Sequence, residues 1–272
     1  MNERPILHVT SGDSAGHLLE KAGLPGEVLI WHDLLYEGPR VAGWPNALEL
    51  RERAAFLVEY SGGSLKELSV LQTLNEQYER LRHAASTHQL VFWFDACLFD
   101  QSMLVHILNC LEPFGVEDMD LLCVDAYPGI SPYHGLGQLS SKQLHDLYPQ
   151  RRPLAADAFA YARRVDEAIA SKEQQTLEEL AKEHEAPLPW VPAAIARWLQ
   201  EQPHPDSGLG RLETLTLDAL QQGEATPLEL FRQVASADTP PQYWGDITLW
   251  RLINGLAERQ PPLVEIDGPH SR

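Results

Sequence analysis

Basic residues are scarce. The chain has 21 Lys and Arg against 39 Asp and Glu, a formal net charge of −18. Contacts to phosphate need Lys and Arg, so non-specific binding to nucleic acid or to an anionic membrane is disfavoured, and DNA is not an expected partner. Cysteine is scarcer still. Cys97, Cys110 and Cys123 are the only three, and none sits in a CxxC pair. An odd, low count excludes a disulfide framework, and each thiol falls in or near an apolar pattern where it reads as a small buried hydrophobe. No apolar run approaches the ~18 residues of a membrane helix. The opening stretch, MNERPILHVT, lacks the apolar core of a secretion signal. A soluble protein of a reducing cytoplasm is therefore expected. No GxGxxG turn and no Walker phosphate loop occurs.

What remains is an ordinary globular composition, 44% hydrophobic over 272 residues, enough for a sizeable core and more than one typical domain. The first half alternates strand and helix. Ile6 to Val9, Val28 to Trp31, "QLVFWFD" and "MDLLCVDAY" read as four strands. The third is almost continuously apolar, as a central parallel strand should be. Helical patterns separate them, with Leu48, Ala55 and Leu57 in one and Leu65, Leu68, Leu71, Leu74, Tyr78 and Leu81 in the next as inward sets. The expected fold class is α/β, a Rossmann-like, mostly parallel sheet over residues 1–150. A helical connecting region follows over 151–205. The remainder, 206–272, reads helix, helix, helix and a short strand, "PLVEID", the order of a winged helix. In it Thr226 and Asp246 are the expected N-caps. Its charge is five Arg and no Lys against ten Asp or Glu, a net −5. A DNA-reading face is basic, so this module reads as a contact for a protein partner, with Tyr243, Trp244 and Trp250 in core or dimer contacts.

The candidate site lies at strand ends. In an open α/β sheet, ligands bind outside the carboxyl ends of the strands. The first strand leads into Ser11, Gly12, Asp13 and Ser14, where a helix begins. Two readings stay open there. Ser11 or Asp13 caps the helix, or the group holds a ligand at the helix N-terminus. His32, Asp33 and Glu37 follow the second strand, Asp95 and Asp100 the third, and Asp125 the fourth, with His134 in the loop beyond. Acidic or His residues at all four ends favour a cationic or hydroxylated small polar ligand, or a divalent cation held by oxygens. His8, alternating with apolar neighbours, reads as a hydrogen-bonded core histidine, and His106 and His145 as helix-face residues. Arg151, Arg152, Arg163 and Arg164 form the one basic group, on a solvated helix face.

The stretches "LHVTSGDSAG", "EVLIWHDLLYEGP", "FDACLFDQ" and "GLGQLSSKQLHDLYPQRRPL" resemble the bacterial family called domain of unknown function 1835. The resemblance covers about residues 5 to 150. Its first motif matches His8, Val9, Thr10, Gly12, Asp13 and Ser14, with Ser11 where Asn is usual. Its second, Trp-Arg-Asp, stands here as Trp31, His32 and Asp33. Its third has an acidic residue and a His where this chain has Asp95, Ala96 and Cys97. The resemblance implies the domain layout and the motif positions and supplies no activity. Two functions are compatible with the sequence. One is a ligand-binding regulatory protein whose C-terminal module contacts a partner. The other is a hydrolase or group-transfer enzyme using Asp13, Asp33, Asp95 and Asp100, with His32 or His134 as base.

Overall fold

The computed structural model describes residues 4–116, 118–239 and 244–268. Its sheet has five strands in the order β2-β1-β3-β4-β5: β1 Ile6–Ser11, β2 Glu27–Trp31, β3 Gln89–Asp95, β4 Met119–Val124 and β5 Arg152–Pro153. The first four are parallel, and β5 runs antiparallel to β4. Eleven α-helices are found among the described residues: α1 Asp13–Glu20, α2 Ala47–Tyr60, α3 Glu67–Thr87, α4 Leu98–Leu111, α5 Ser141–Leu147, α6 Asp157–Ser171, α7 Gln174–Leu180, α8 Val191–Leu199, α9 Arg211–Leu220, α10 Pro227–Ala237 and α11 Asp246–Glu258.

Period-two alternation on the central strand explains the layers. On β3, Leu90, Phe92 and Phe94 face one core with Leu81, Leu104, Leu108 and Val165, which brings α3, α4 and α6 onto that face. Val91 and Trp93 face a second core with Ala15, Leu19 and Leu144, which brings α1 and α5 onto the other. Because α1 and α4 leave β1 and β3 on opposite faces, a crevice opens between the carboxyl ends of these two strands. The helices from 157 to 199 cover the sheet directly: Ala162, Val165, Leu180 and Ile195 belong to the first core.

His8 lies in the second core, as its alternation predicts. Its Nδ1 accepts from the Trp93 indole at 3.1 Å, so Nε2 carries the proton and donates to the Pro25 carbonyl at 3.1 Å. Burial lowers its pKa below the ordinary value. The four arginines of the supposed basic group do not converge. Arg151 pairs with Asp120, Arg163 with Glu112 and Arg164 with Glu183, and Arg152 lies on β5.

Several further expectations are corrected. Leu48, Ala55, Leu65 and Leu68 are exposed, and α2 buries Leu50, Arg53 and Ala54 instead, because Arg53 reaches inward to a carboxylate. His106 is no surface residue but is fully enclosed beside Asp166. "PLVEID" forms no strand, so among the described residues the tail has three helices and no wing. Thr226 caps α10 as expected, in a capping box with Glu229. The N-cap of α11 is Gly245, with Asp246 its first helical residue. Tyr243 lies outside the described residues. Trp244 is buried in a third core with Leu212, Leu230, Val234 and Leu249, which Tyr36 and Leu98 join from the α/β side. The tail thus closes over the carboxyl edge of the sheet. Among the described residues no helix is long and apolar enough to cross a membrane.

Candidate functional site

The chain leaves β1 through Gly12, whose φ of 65° lies in the left-handed region that glycine adopts without strain. Gly12 is the N-cap of α1 and supplies no side chain, so neither Ser11 nor Asp13 caps the helix. The capping reading is thereby corrected. The Ser11 hydroxyl instead donates to Asp100 Oδ1 at 2.5 Å. Asp13, in the first turn, meets His32 Nε2 at 2.9 Å across the β1–β2 crossover. Both side chains of this pair face solvent, at 69% and 41% exposure, so they are accessible to a ligand.

The carboxylates after β3 are committed inward. Asp100 accepts from Ser11 and from the Asp95 backbone N–H at 2.5 Å. Asp95 accepts from the Tyr133 hydroxyl at 2.9 Å and the Leu136 N–H at 2.8 Å. These bonds tie the 133–136 loop to the end of β3. Gly135 crosses so close that a Cβ there would lie 2.5 Å from Asp95 Oδ2, at a φ of +139°. Burial pushes the Asp100 carboxyl up to about 6, against the pull of the Ser11 hydroxyl and the Asp95 amide. Burial first, then the neighbouring Asp100 charge, raises Asp95 well above the carboxylate range.

A stability prediction follows from the sign of these shifts. Groups whose folded pKa is raised favour the folded state fully below their unfolded values and lose that contribution as pH rises through the folded values. Stability from the Asp95–Asp100 pair is therefore expected to fall between about pH 4 and pH 6 and beyond, by up to about 3 kcal/mol for Asp100. His8 works the other way, because its lowered pKa costs stability as pH falls below its ordinary 6.5. Urea midpoints at pH 5 and pH 7.5, with Asp95→Asn as reference, separate the two. The variant should show a smaller loss over this interval than the parent, and equal losses would contradict the assignment.

A cavity of about 500 Å³ occupies the crevice. It is lined by Ser11, Gly12, Asp13 and Ser14 from the β1 loop, Asp95 and Asp100 from β3 and α4, and His134 from the loop after β4. Seven of the expected residues thus meet in one place. Of the others, His32 reaches the cavity's edge through the hydrogen bond to Asp13, and Asp33, Glu37 and Asp125 do not line it. Asp33 borders an adjoining cavity, but its buried side chain is spent on Arg53 at 2.7 Å and on the Leu34 N–H. Arg53 also donates to the Leu34, Glu37 and Pro39 carbonyls, so this pair sets the shape of the loop after β2. The Glu37 backbone carbonyl accepts from Arg53, and burial raises the pKa of its carboxyl. Asp125 lies in a neighbouring cavity of about 340 Å³ and accepts from the Trp190 indole at 3.3 Å. Among the described residues, no three His, Cys, Asp or Glu side chains gather to hold a metal ion. Burial pushes the thiols of Cys97, Cys110 and Cys123 up, which keeps them protonated and weakly nucleophilic.

Sequence reasoning missed the walls. Gly135, Gln138, Trp244 and Gly245 line the same cavity. The last two come from the tail, and no local pattern connects them with a strand end more than 200 positions earlier. No family model matches the chain, and no curated protein matches it. The likeness to the domain of unknown function 1835 family rests on the motif residues alone.

Proposed function

We propose that this protein binds a small polar ligand, cationic or hydroxylated, at the carboxyl edge of its Rossmann-like sheet, and that binding is passed to a protein partner by the tail. The observation that carries this reading is the cavity between β1 and β3, where the exposed Asp13, hydrogen-bonded to His32 at its edge, meets a wall supplied by Trp244 and Gly245 of the tail. A ligand seated there touches both parts of the chain, so its presence alters how firmly the tail is held. We read α9, α10 and α11 as the helical part of a winged-helix-like module that serves protein contact. The tail's acidic balance supports a protein rather than DNA as its partner.

The test is a thermal-shift screen of the full chain against amines, amino acids, polyols, sugars, nucleotides and divalent cations. A compound present at a hundred times its dissociation constant stabilises the fold by about 2.7 kcal/mol, a rise of roughly 5–10 °C. The expected result is such a rise that Asp13→Asn loses while remaining folded. Rises that survive Asp13→Asn, or none across the panel, would reject this site.

The Asp13–His32 hydrogen bond also supports a second reading, an enzyme with His32 as general base oriented by Asp13. It expects chemical change in a stabilising compound, abolished by His32→Gln with binding retained. Binding without turnover favours the regulatory reading.

A further inference from the structure

We infer that the ligand is an amphipathic amine, with its ammonium head at the Asp13–His32 pair and an aryl or alkyl body in the adjoining cavity. This rests on the binding role proposed above and specifies its ligand class. The second cavity, of about 460 Å³, opens between α2, α3 and α11. Leu57, Leu65, Val70, Leu74, Phe99 and Ile247 give it an apolar interior. It shares Gly12, Phe99 and Gly245 with the polar cavity, so the two form one cleft. His32 lines the apolar part and Asp13 the polar part, and the hydrogen bond between them spans the junction.

Charge selects the head. Among the described residues no Lys or Arg lines the polar part, and Asp95 and Asp100 already accept two hydrogen bonds each. In the apolar part, Asp33 is neutralised by Arg53, and Asp246 Oδ1 accepts from the Ile247 N–H. Lys66 stands exposed at the α2–α3 end. The open charge at the junction is the Asp13 carboxylate, which attracts a cation and repels an anion. Size and exposure select the body. A cavity of about 150 Å³ holds benzene, so this one accepts a ring with a short chain. Leu65 and Ile247 on its rim are 48% and 42% exposed, surface that an apolar body would cover.

Calorimetric titration of the full chain at pH 7 with four probes tests the inference: 2-phenylethylamine, ethylamine, 2-phenylethanol and phenylacetate. Covering a phenyl ring gives roughly a tenfold or greater gain in affinity. 2-Phenylethylamine is therefore expected to bind at least about tenfold tighter than each of the other three. Ser69→Trp places a ring in the apolar part from an exposed position on α3, and should erase the gain over ethylamine. Thr73→Phe, from the next turn, repeats that test if the first variant folds poorly. Asp13→Asn should erase the preference for the amine over the alcohol. Equal binding of ethylamine and 2-phenylethylamine overturns the apolar body and leaves a small polar ligand standing. Preference for phenylacetate overturns the cationic head. No binding of any probe, with a polyol or sugar stabilising the chain in the wider screen, overturns the amine class alone. Silence in both experiments removes the binding role as well.

Discussion

Asp166→Ala is expected to lower the unfolding free energy by about 3–5 kcal/mol, the cost of removing one partner from a buried ionic group. Asp166 projects from α6 and is fully buried. It accepts from the Arg40 guanidinium, from the Gly43 N–H at 2.8 Å and from the Asn109 amide at 2.8 Å, and His106 Nδ1 lies 3.2 Å away. His106 Nδ1 also lies 3.0 Å from the Arg40 guanidinium, and its Nε2 lies 2.6 Å from the Tyr78 hydroxyl. Burial alone would raise the Asp166 pKa, but His106 and Arg40 outweigh it and hold the carboxyl well below the usual range. Alanine leaves the Arg40 cation, 4% exposed, with no ion-pair partner among the described residues. The depressed pKa adds a second signature. Stability from Asp166 is present above its unfolded pKa and is lost as pH falls through the folded value. Urea unfolding at pH 7 should show the full loss in Asp166→Ala, and the gap between parent and variant should narrow toward pH 2. A loss below about 1 kcal/mol at pH 7 would mean that the network is not a net determinant of stability.

That network was hidden from sequence reasoning for a physical reason. On amphipathic helices a charged residue defaults to the solvent face, and Arg53, His106 and Asp166 all break that default by meeting a partner far away in the chain. Arg53 lies 20 positions from Asp33, and Arg40 lies 126 from Asp166. Periodicity identifies which face of a helix is buried, but not which buried position carries a charge with a partner. The strands were legible because their apolar runs have few alternatives. Leu90 to Phe94 can be solvent-free only as the centre of a covered sheet. The "PLVEID" segment has the same local pattern without a neighbour to pair with, and a lone strand leaves its backbone groups unsatisfied.

The site shows the same division. Four polar strand ends at one sheet edge were readable from the alternation of elements, and seven of those residues share a cavity. Their roles were not readable. Asp95 and Asp100 look identical in sequence to Asp13, yet they hold loops through backbone and hydroxyl donors while Asp13 faces solvent. Donor supply makes the difference: the loop 133–136 folds back over Asp95, whereas Asp13 meets the His32 ring and keeps its side chain 69% exposed.

Asp238→Ala is expected to loosen the tail and widen the cleft. Asp238 ends α10 and gathers three donor side chains, two of them from other helices. Arg197 of α8 donates at 3.0 and 2.7 Å, Arg211 of α9 at 2.9 Å, and the Trp244 indole at 2.7 Å. Arg197 and the Asp238 side chain are almost wholly buried, so removing the carboxylate should cost about 3 kcal/mol or more. The loss should fall unevenly. The sheet keeps its two cores without the tail's help, whereas Trp244 and Gly245 depend on Asp238 for their place over the polar cavity. Hydrogen exchange should accelerate over 211–258 and remain slow in β1 and β3. Affinity for a ligand of the cleft should fall with it, because binding must then also restore the tail. Asp238→Asn, which retains one acceptor, should give an intermediate effect. Uniform acceleration across the chain would instead show that the tail and the sheet open as one unit, and the cleft could then close on a ligand only by folding as a whole.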